Sequence, residues 1–431
     1  MAGILYSPRQ WRGWLTEPNR GRSRDKVLVV ALIVRDTTRS EVEEHLEELG
    51  KLVESAGGTV AGSSISKRSA PDPSTFIGSG KAAELKQVAA EGGVSLLVVD
   101  ADLTPAQARN LEEIVGIRVI DRSGLILDIF ARRARSREAR TQVELAQLQY
   151  LLPRLTRHWS HLSRQAGGIG TRGVGETQLE IDRRIVRDRI SRLREELSKI
   201  EKTRATQRKS RKHAFTVALV GYTNAGKSTL FNQLTRGNAE SADKLFATLD
   251  AKMQKAHFPT PRETVMIDTV GFIRKLPHNL VASFRSTMEE AASADLVLHL
   301  VDASHPQADE QKAVGQDVLK DLAIKPEKVI EVFNKADRLD GSILMSGNGS
   351  RPLWVSALTG AGCDRLIEKI RERQLAEGDV LHLKIPAAET RLVAKLHDSA
   401  AVYEEKMDGE QASIIAWVPH DLIHLFEPYT I

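Results

Sequence analysis

The chain reads as an α/β protein built around a phosphate-loop domain with a mostly parallel sheet, and three observations predict it. Residues 221–228, Gly-Tyr-Thr-Asn-Ala-Gly-Lys-Ser, match Gly-x-x-x-x-Gly-Lys-Ser directly after the apolar run 215–220. Residues 26–130 alternate strand-like and helix-like patterns, the mark of a second α/β unit. Between them stand two long stripes of apolar residues at helical spacing, which predict an antiparallel helical hairpin.

A chain of 431 residues allows roughly three domains, and 41% apolar with 28% charged residues excludes global disorder. The single cysteine, Cys363, rules out an internal disulfide and fits a reducing compartment. No apolar run is long enough to span a bilayer and no signal peptide is recognisable. Residues 1–25 are polar and arginine-rich, and are expected to form a poorly ordered tail.

Residues 26–134 form the expected N-terminal α/β domain. Strands are predicted at 27–34, 95–99 and 119–120, and helices at 40–56 and from Thr104-Pro105, an N-cap followed by a proline. The sheet should be partly parallel. Gly78-Ser79-Gly80-Lys81 imitates a phosphate loop, but its glycines are too close and Ala82 stands where Ser or Thr belongs. It is read either as a backbone nest for phosphate or as a tight turn before a helix.

Residues 135–213 form the hairpin. A first helix is predicted over 141–165, with Pro153 as a possible kink, on the stripe Leu148, Leu152, Leu155, Trp159 and Leu162; a second starts at Thr177, on Val186, Ile190, Leu193, Leu197 and Ile200. The joining loop, residues 166–176, holds five glycines, so its backbone can press close to another surface while Arg172 stacks on a base or forks to phosphate. Gly168, Gly170, Arg172, Gly173 and Gly175 are the expected RNA contacts. Residues 132–213 carry 22 Lys or Arg against 9 Asp or Glu, although the whole chain nets only +5. That concentration is the electrostatic footprint of a polyanion partner.

Residues 214–374 hold the chemistry. Gly221, Tyr222, Thr223, Asn224, Ala225 and Gly226 form a loop whose N–H groups converge on phosphate, ahead of a helix opened by Lys227, Ser228 and Thr229. Lys227 neutralises phosphate charge and Ser228 ligates magnesium. In Phe246-Ala247-Thr248-Leu249-Asp250, Thr248 is the candidate magnesium ligand from a segment that closes over a triphosphate. Asp268, Thr269, Val270 and Gly271 follow a strand: Asp268 reaches magnesium through water, and Gly271 approaches the γ-phosphate. Asn334, Lys335, Ala336 and Asp337 follow strand 329–333. The Asp337 carboxylate can accept from guanine N1–H and N2–H together, a donor pair that adenine lacks. Asn334 either bridges loops or meets the base, and the Lys335 stem covers the ring face. Ser356, Ala357 and Leu358 can close over the guanine. GTP with magnesium is the expected ligand, and Lys227, Thr248 and Gly271 are the expected catalytic groups.

Residues 375–431 are expected to form a small α+β domain, with strands at 380–385 and 413–418 and a helix over 390–406.

Taken in order, the motifs resemble the GTPase branch of the phosphate-loop fold, in its translation-factor-related group. Ras-like relatives place a Gln after the Asp-x-x-Gly glycine to orient the attacking water. Here that residue is Phe272. Slow intrinsic hydrolysis is therefore expected, with a partner that orders the switch segments or supplies a polar group. Gly-Tyr-Thr-Asn-Ala-Gly-Lys-Ser, Phe-Ala-Thr-Leu-Asp and Asp-Thr-Val-Gly-Phe, with residues 121–130, Asp-Arg-Ser-Gly-Leu-Ile-Leu-Asp-Ile-Phe, and the glycine-rich stretch before Leu179, resemble the HflX family over nearly the whole chain from residue 26. The resemblance implies a monomeric cytoplasmic GTPase, in part peripheral to the membrane, that binds the large (50S) ribosomal subunit and is stimulated by it. Its role would lie in ribosome rescue or splitting, translation under stress or ribosome biogenesis, with the hairpin tip turned toward ribosomal RNA. Some members bind ATP through the N-terminal domain. Two other readings stay open: a GTP-dependent switch for a protein partner, and ATP-dependent RNA remodelling through the N-terminal domain.

Overall fold

The run Lys-Val-Leu-Val-Val-Ala-Leu-Ile is β-branched and apolar throughout, which suits a strand covered on both faces, and it forms β1 (Lys26–Ile33). The computed structural model describes residues 25–35, 37–155, 174–210, 214–237, 245–246, 248–274, 285–339, 352–408 and 410–431. Its contacts divide into two units. The first comprises Met1–Glu201, Lys244–Asp250 and Lys275–Arg285; the second comprises Lys202–Asp243, Ala251–Arg274 and Ser286–Ile431. Among the described residues no helix is long and apolar enough to cross a membrane.

In the first unit β1 is followed by α1 (Arg39–Ser55), β2 (Thr59–Lys67), α2 (Ser79–Gly92), β3 (Leu96–Val99), α3 (Pro105–Val115) and β4 (Arg118–Asp121). The strands pair in the order β2-β1-β3-β4, all parallel. Helices α1 and α3 both start with a capping box, on Thr38 with Glu41 and on Thr104 with Gln107, so orphan N–H groups are satisfied locally. Two elements differ from expectation. Strand β2 was not legible because it is an edge strand of small polar residues, Gly62, Ser63 and Ser64 among them, with no clean apolar alternation. Residues 121–130 begin a further helix, α4 (Arg122–Arg133), buried on every side from Arg122 to Phe130 and hence without an amphipathic stripe. Asp121 caps it through Gly124 N at 2.8 Å and also accepts from Tyr150 Oη at 2.8 Å and Arg154 Nη2 at 2.8 Å. The buried Arg122 pairs with Asp100 at 2.7 Å and with Glu48.

Helix α5 (Arg137–Leu151) begins earlier than expected and ends at a 3-10 turn, Leu152–Arg154. Pro153 sits in that turn, where its missing N–H interrupts the α-helical ladder; the rest of the expected helix, 156–165, lies outside the described residues. Trp159 and Leu162 lie outside the described residues. Helix α6 (Val174–Ser210) carries the second stripe. Leu145 and Leu148 pack with Val186, Ile190 and Leu193. Arg189 pairs with Glu144 at 2.7 Å and Arg137 with Glu196 at 2.7 Å, so a heptad back on α5 meets a heptad on along α6, the register of an antiparallel pair. Arg184, Arg187, Arg192, Arg194, Lys199 and Lys202 are exposed along α6.

The second unit runs β5 (Phe215–Gly221), α7 (Lys227–Thr235), β6 (Lys252–Ala256), β7 (Thr264–Asp268), α8 (Arg285–Ala292), β8 (Leu296–Asp302), α9 (Ala308–Asp321), β9 (Val329–Asn334), β10 (Leu353–Trp354) and α10 (Cys363–Leu375). The sheet order is β10-β9-β8-β5-β7-β6, parallel except for β6. The C-terminal section adds β11 (Gly378–Pro386), α11 (Thr390–Ser399), β12 (Ala401–Asp408), β13 (Gln411–Pro419) and α12 (Ile423–Phe426), with antiparallel order β11-β13-β12. The helix expected over 390–406 stops at Ser399. Residues from Ala401 instead pair with β13, from Ala401 opposite Trp417 to Asp408 opposite Gln411, and this ladder overrides the helix propensity of the Glu-Glu-Lys run.

Helix α9 approaches β8 closely at Gly315, where a Cβ would fall 2.1 Å from Nε2 of His299. His299 is 1% exposed, and burial pushes its pKa down to about 4, so it packs as a neutral ring. Gly315→Ala is expected to cost about 1–3 kcal/mol in denaturant unfolding by overpacking. Gly80→Ala, where the added Cβ meets nothing within 4 Å, should be neutral or stabilising by up to about 1 kcal/mol.

Candidate functional site

The carboxyl ends of the parallel strands in the second unit gather the motifs. Strand β5 runs into the phosphate loop, β7 into Asp268–Gly271 and β9 into Asn334–Asp337, so sheet topology alone brings three distant sequence segments to one edge.

The phosphate loop is held by backbone. Gly221 has φ 146°, and a Cβ there would lie 2.2 Å from the carbonyl oxygen of Leu300, so only glycine fits beside β8. Gly226 is likewise left-handed, at φ 92°, with Asn334 Nδ2 2.2 Å from where its Cβ would be. Asn224 also adopts positive φ, at 65°. Lys227 Nζ donates to the carbonyls of Gly221 at 2.9 Å and Tyr222 at 2.8 Å. Burial pushes its pKa down to about 8, against a smaller upward pull from Asp268. Ser228 Oγ donates to Asp268 Oδ2 at 2.7 Å, which brings together the hydroxyl and carboxylate expected to serve magnesium. Hard oxygen donors of this kind suit that cation. Thr229 is half-buried on α7.

The Asp268–Gly271 segment is stitched to the loop. Phe272 N donates to Gly221 O at 2.9 Å and Thr223 N to Phe272 O at 2.7 Å, and Tyr222 Oη accepts from Arg274 N at 2.9 Å. Thr269 Oγ1 donates to Leu219 O at 2.6 Å, and Val270 is buried. Gly271 lies against Thr223 and Lys227: its Cβ would fall 2.9 Å from Lys227 Nζ. The Phe272 side chain is 1% exposed, so it is core.

On the base-reading side Asn334 is a strut between loops. Its Nδ2 donates to Ala225 O at 2.8 Å and its Oδ1 accepts from Ala357 N at 2.9 Å, the loop-bridging arrangement. Lys335 has φ 63° and its Nζ pairs with Asp302 Oδ2 at 2.6 Å. Sequence reasoning missed Asp302, although an acidic residue ending the apolar strand β8 was a usable signal. Ala336 N donates to Val355 O at 3.1 Å, and Asp337 Oδ1 accepts from Ser356 Oγ at 2.5 Å. Leu358 is 76% exposed.

The segment bearing Thr248 belongs by its contacts to the first unit. Asp250 Oδ2 accepts from Arg135 N at 3.0 Å and Ser136 N at 3.1 Å, and Ser136 Oγ donates to Oδ1. Phe246, buried and at φ 57°, sets its ring edge-on to Phe130 with centroids 4.7 Å apart. Thr248 and Leu249 are buried, and Ala247 lies outside the described residues. The sequence had offered no partner for Phe246 or Asp250. Gly168, Gly170, Arg172 and Gly173 also lie outside the described residues, while Gly175 falls in the first turn of α6 and not in the loop. In the N-terminal domain Gly78 is the residue before α2, with φ 93° and its N–H donated to Thr75 Oγ1 at 3.1 Å, which is the tight turn before a helix.

Comparison with known proteins adds three matched family models: a GTP-binding GTPase N-terminal region over residues 43–131, a GTP-binding GTPase middle region over 133–211, and a 50S ribosome-binding GTPase over 216–335. The chain is 45% identical over 399 residues to the GTPase HflX of Caldanaerobacter subterraneus subsp. tengcongensis, covering 92% of each. It is 44% identical over 379 residues to the GTPase HflX of Escherichia coli K12, covering 86% of this chain and 89% of that one. Among solved structures, a GTP-binding protein of the archaeon Sulfolobus solfataricus in complex with GDP matches with a TM-score of 0.41 and 24% identity, covering 80% of this chain and 98% of that one.

Two outcomes follow from this geometry. Between pH about 8 and about 10.5 the unfolded chain holds the Lys227 proton that the fold has released, so ligand-free stability should rise with pH across that window, by on the order of 3 kcal/mol relative to Lys227→Met. Parallel pH-stability curves for parent and variant would contradict the buried ammonium. Asp250→Ala and Ser136→Ala should couple by about 1–3 kcal/mol in a double-mutant cycle of unfolding, whereas additive losses would remove the anchor.

Proposed function

The chain belongs to the HflX family of GTPases, and we propose that it binds and hydrolyses GTP as a switch for the large (50S) ribosomal subunit, in ribosome rescue, translation under stress or biogenesis. The observation that carries the reading is the joined pair of loops, in which Asn334 ties the phosphate loop at Ala225 to the Ser356 loop while Asp337 stands beside Ser356. A nucleotide gripped at Lys227 then has its base edge met by one oriented carboxylate, which accepts from guanine and repels the acceptor-bearing edge of adenine. The Lys335 stem, with its ammonium drawn to Asp302, covers the ring.

In hydrolysis, water attacks the γ-phosphorus, the bond to the β–γ bridging oxygen breaks, and GDP and phosphate leave. Lys227 sits where charge on the phosphates must be neutralised, and its desolvated ammonium is poised to pair with them. Ser228 directly and Asp268 through water would hold magnesium, which supplies further neutralisation of the phosphate charge. Gly271 would bring its N–H to the γ-phosphate and so report its presence. Because the Phe272 ring is buried, no side chain at that position can orient water, which supports a slow intrinsic rate raised by the large subunit. The exposed arginines and lysines of α6 support ribosomal RNA as the surface met by the hairpin, with the chain acting as a cytoplasmic monomer.

Hydrolysis should rise at least about tenfold with purified large subunits, an increase that falls as salt is raised. Equal rates with and without subunits would sink the ribosomal assignment. Asp337→Asn should lose at least about hundredfold in GTP affinity and gain xanthosine triphosphate, whose C2 oxygen matches the new amide donor. Unchanged GTP affinity in that variant would remove Asp337 from the base site.

A further inference from the structure

The Thr223 hydroxyl in the phosphate loop is buried and hydrogen-bonds to none of the described groups, on a residue 5% exposed. A sealed hydroxyl without a partner is destabilising, and native proteins keep such groups where a ligand completes them. The Thr223 N–H is donated to Phe272 O at 2.7 Å, which ties its backbone to the residue after Gly271.

The surroundings identify the ligand atom. A Cβ built on Gly271 would fall 2.8 Å from Thr223 Cγ2, 2.9 Å from Thr223 Cα and 2.9 Å from Lys227 Nζ. Thr223, Lys227 and Gly271 are therefore closely packed neighbours, and the nucleotide reading assigns Lys227 to phosphate charge and Gly271 to the γ-phosphate. A turn of about 120° in χ1 exchanges the Thr223 methyl and hydroxyl between staggered positions without moving the backbone. Residue 272 meets Thr223 through its backbone carbonyl, its phenyl ring being core.

We propose that the Thr223 hydroxyl donates a hydrogen bond to a γ-phosphoryl oxygen of bound GTP and so favours triphosphate over diphosphate. The inference rests on GTP occupying this loop. Loss of the γ-phosphate removes the acceptor and leaves the hydroxyl orphaned again, a difference that belongs to the switch and not to base recognition.

The test measures affinities of the full-length chain for GDP and for a GTP analogue with a non-hydrolysable β–γ bridge, both with magnesium. Thr223→Val keeps the shape and removes the hydroxyl, and Thr223→Ser keeps the hydroxyl. The preference for triphosphate should fall about tenfold or more in the valine variant and stay within about threefold of the parent in the serine variant. An unchanged preference in Thr223→Val, or an equal fall in both variants, would overturn the assignment, the second by tracing the effect to methyl packing. Ligand-free Thr223→Val should also melt no lower than the parent; a lower melting temperature would mean the hydroxyl already has a partner and would equally overturn it. A parent chain that binds no guanine nucleotide would instead sink the nucleotide reading itself.

Discussion

Two backbone hydrogen bonds, Phe272 N to Gly221 O and Thr223 N to Phe272 O, set the terms for the rest of the site. They make residue 272 a one-residue extension of the sheet beside β5, pairing it with Tyr222. A residue so paired has its side chain direction fixed, and here it points into the core. Gly271, one residue earlier, is thereby pressed against Thr223 and Lys227, where any side chain would collide with the lysine of the phosphate loop. The departure from glutamine is thus built into the packing of the loop.

The base-reading side follows the same economy. Asn334 uses its amide at both ends, as donor to Ala225 and acceptor from Ala357, so three loops from distant parts of the sequence are tied together. Lys335 takes the left-handed backbone that lets its ammonium reach Asp302. Such residues spend their polar groups on positioning neighbouring loops within the second unit. The opposite arrangement holds for Phe246 and Asp250, which commit the segment carrying Thr248 to Phe130, Arg135 and Ser136 of the first unit. The segment that carries a candidate magnesium ligand is therefore held, through Asp250, to the residues just before α5.

Much of this was legible in sequence because the motifs are backbone requirements. Gly221, Gly226 and Gly271 stand where a Cβ has no room, and glycine spacing records that directly. Strand β5 and helix α7 were equally plain, one apolar throughout and the other opening at Lys227. What the sequence hid was long-range. The acceptor bonds of Asp250 join residues 115 positions apart, and no local pattern announces them. Helix α4 hid because it is buried all round, β2 because it is a small-residue edge, and β12 because charged residues with helix propensity were captured by a neighbouring strand. The capping role of Asp121, which organises residues 121–130, was visible only once Tyr150 and Arg154 came to it.

The account stands on a guanine site assembled from Lys227, Asn334 and Asp337. Its most direct test is calorimetric titration of the full-length chain with GTP and with ATP in the presence of magnesium. Saturable binding of GTP, with ATP at least about hundredfold weaker, is the predicted result. Equal affinity for the two at the phosphate loop would contradict the account.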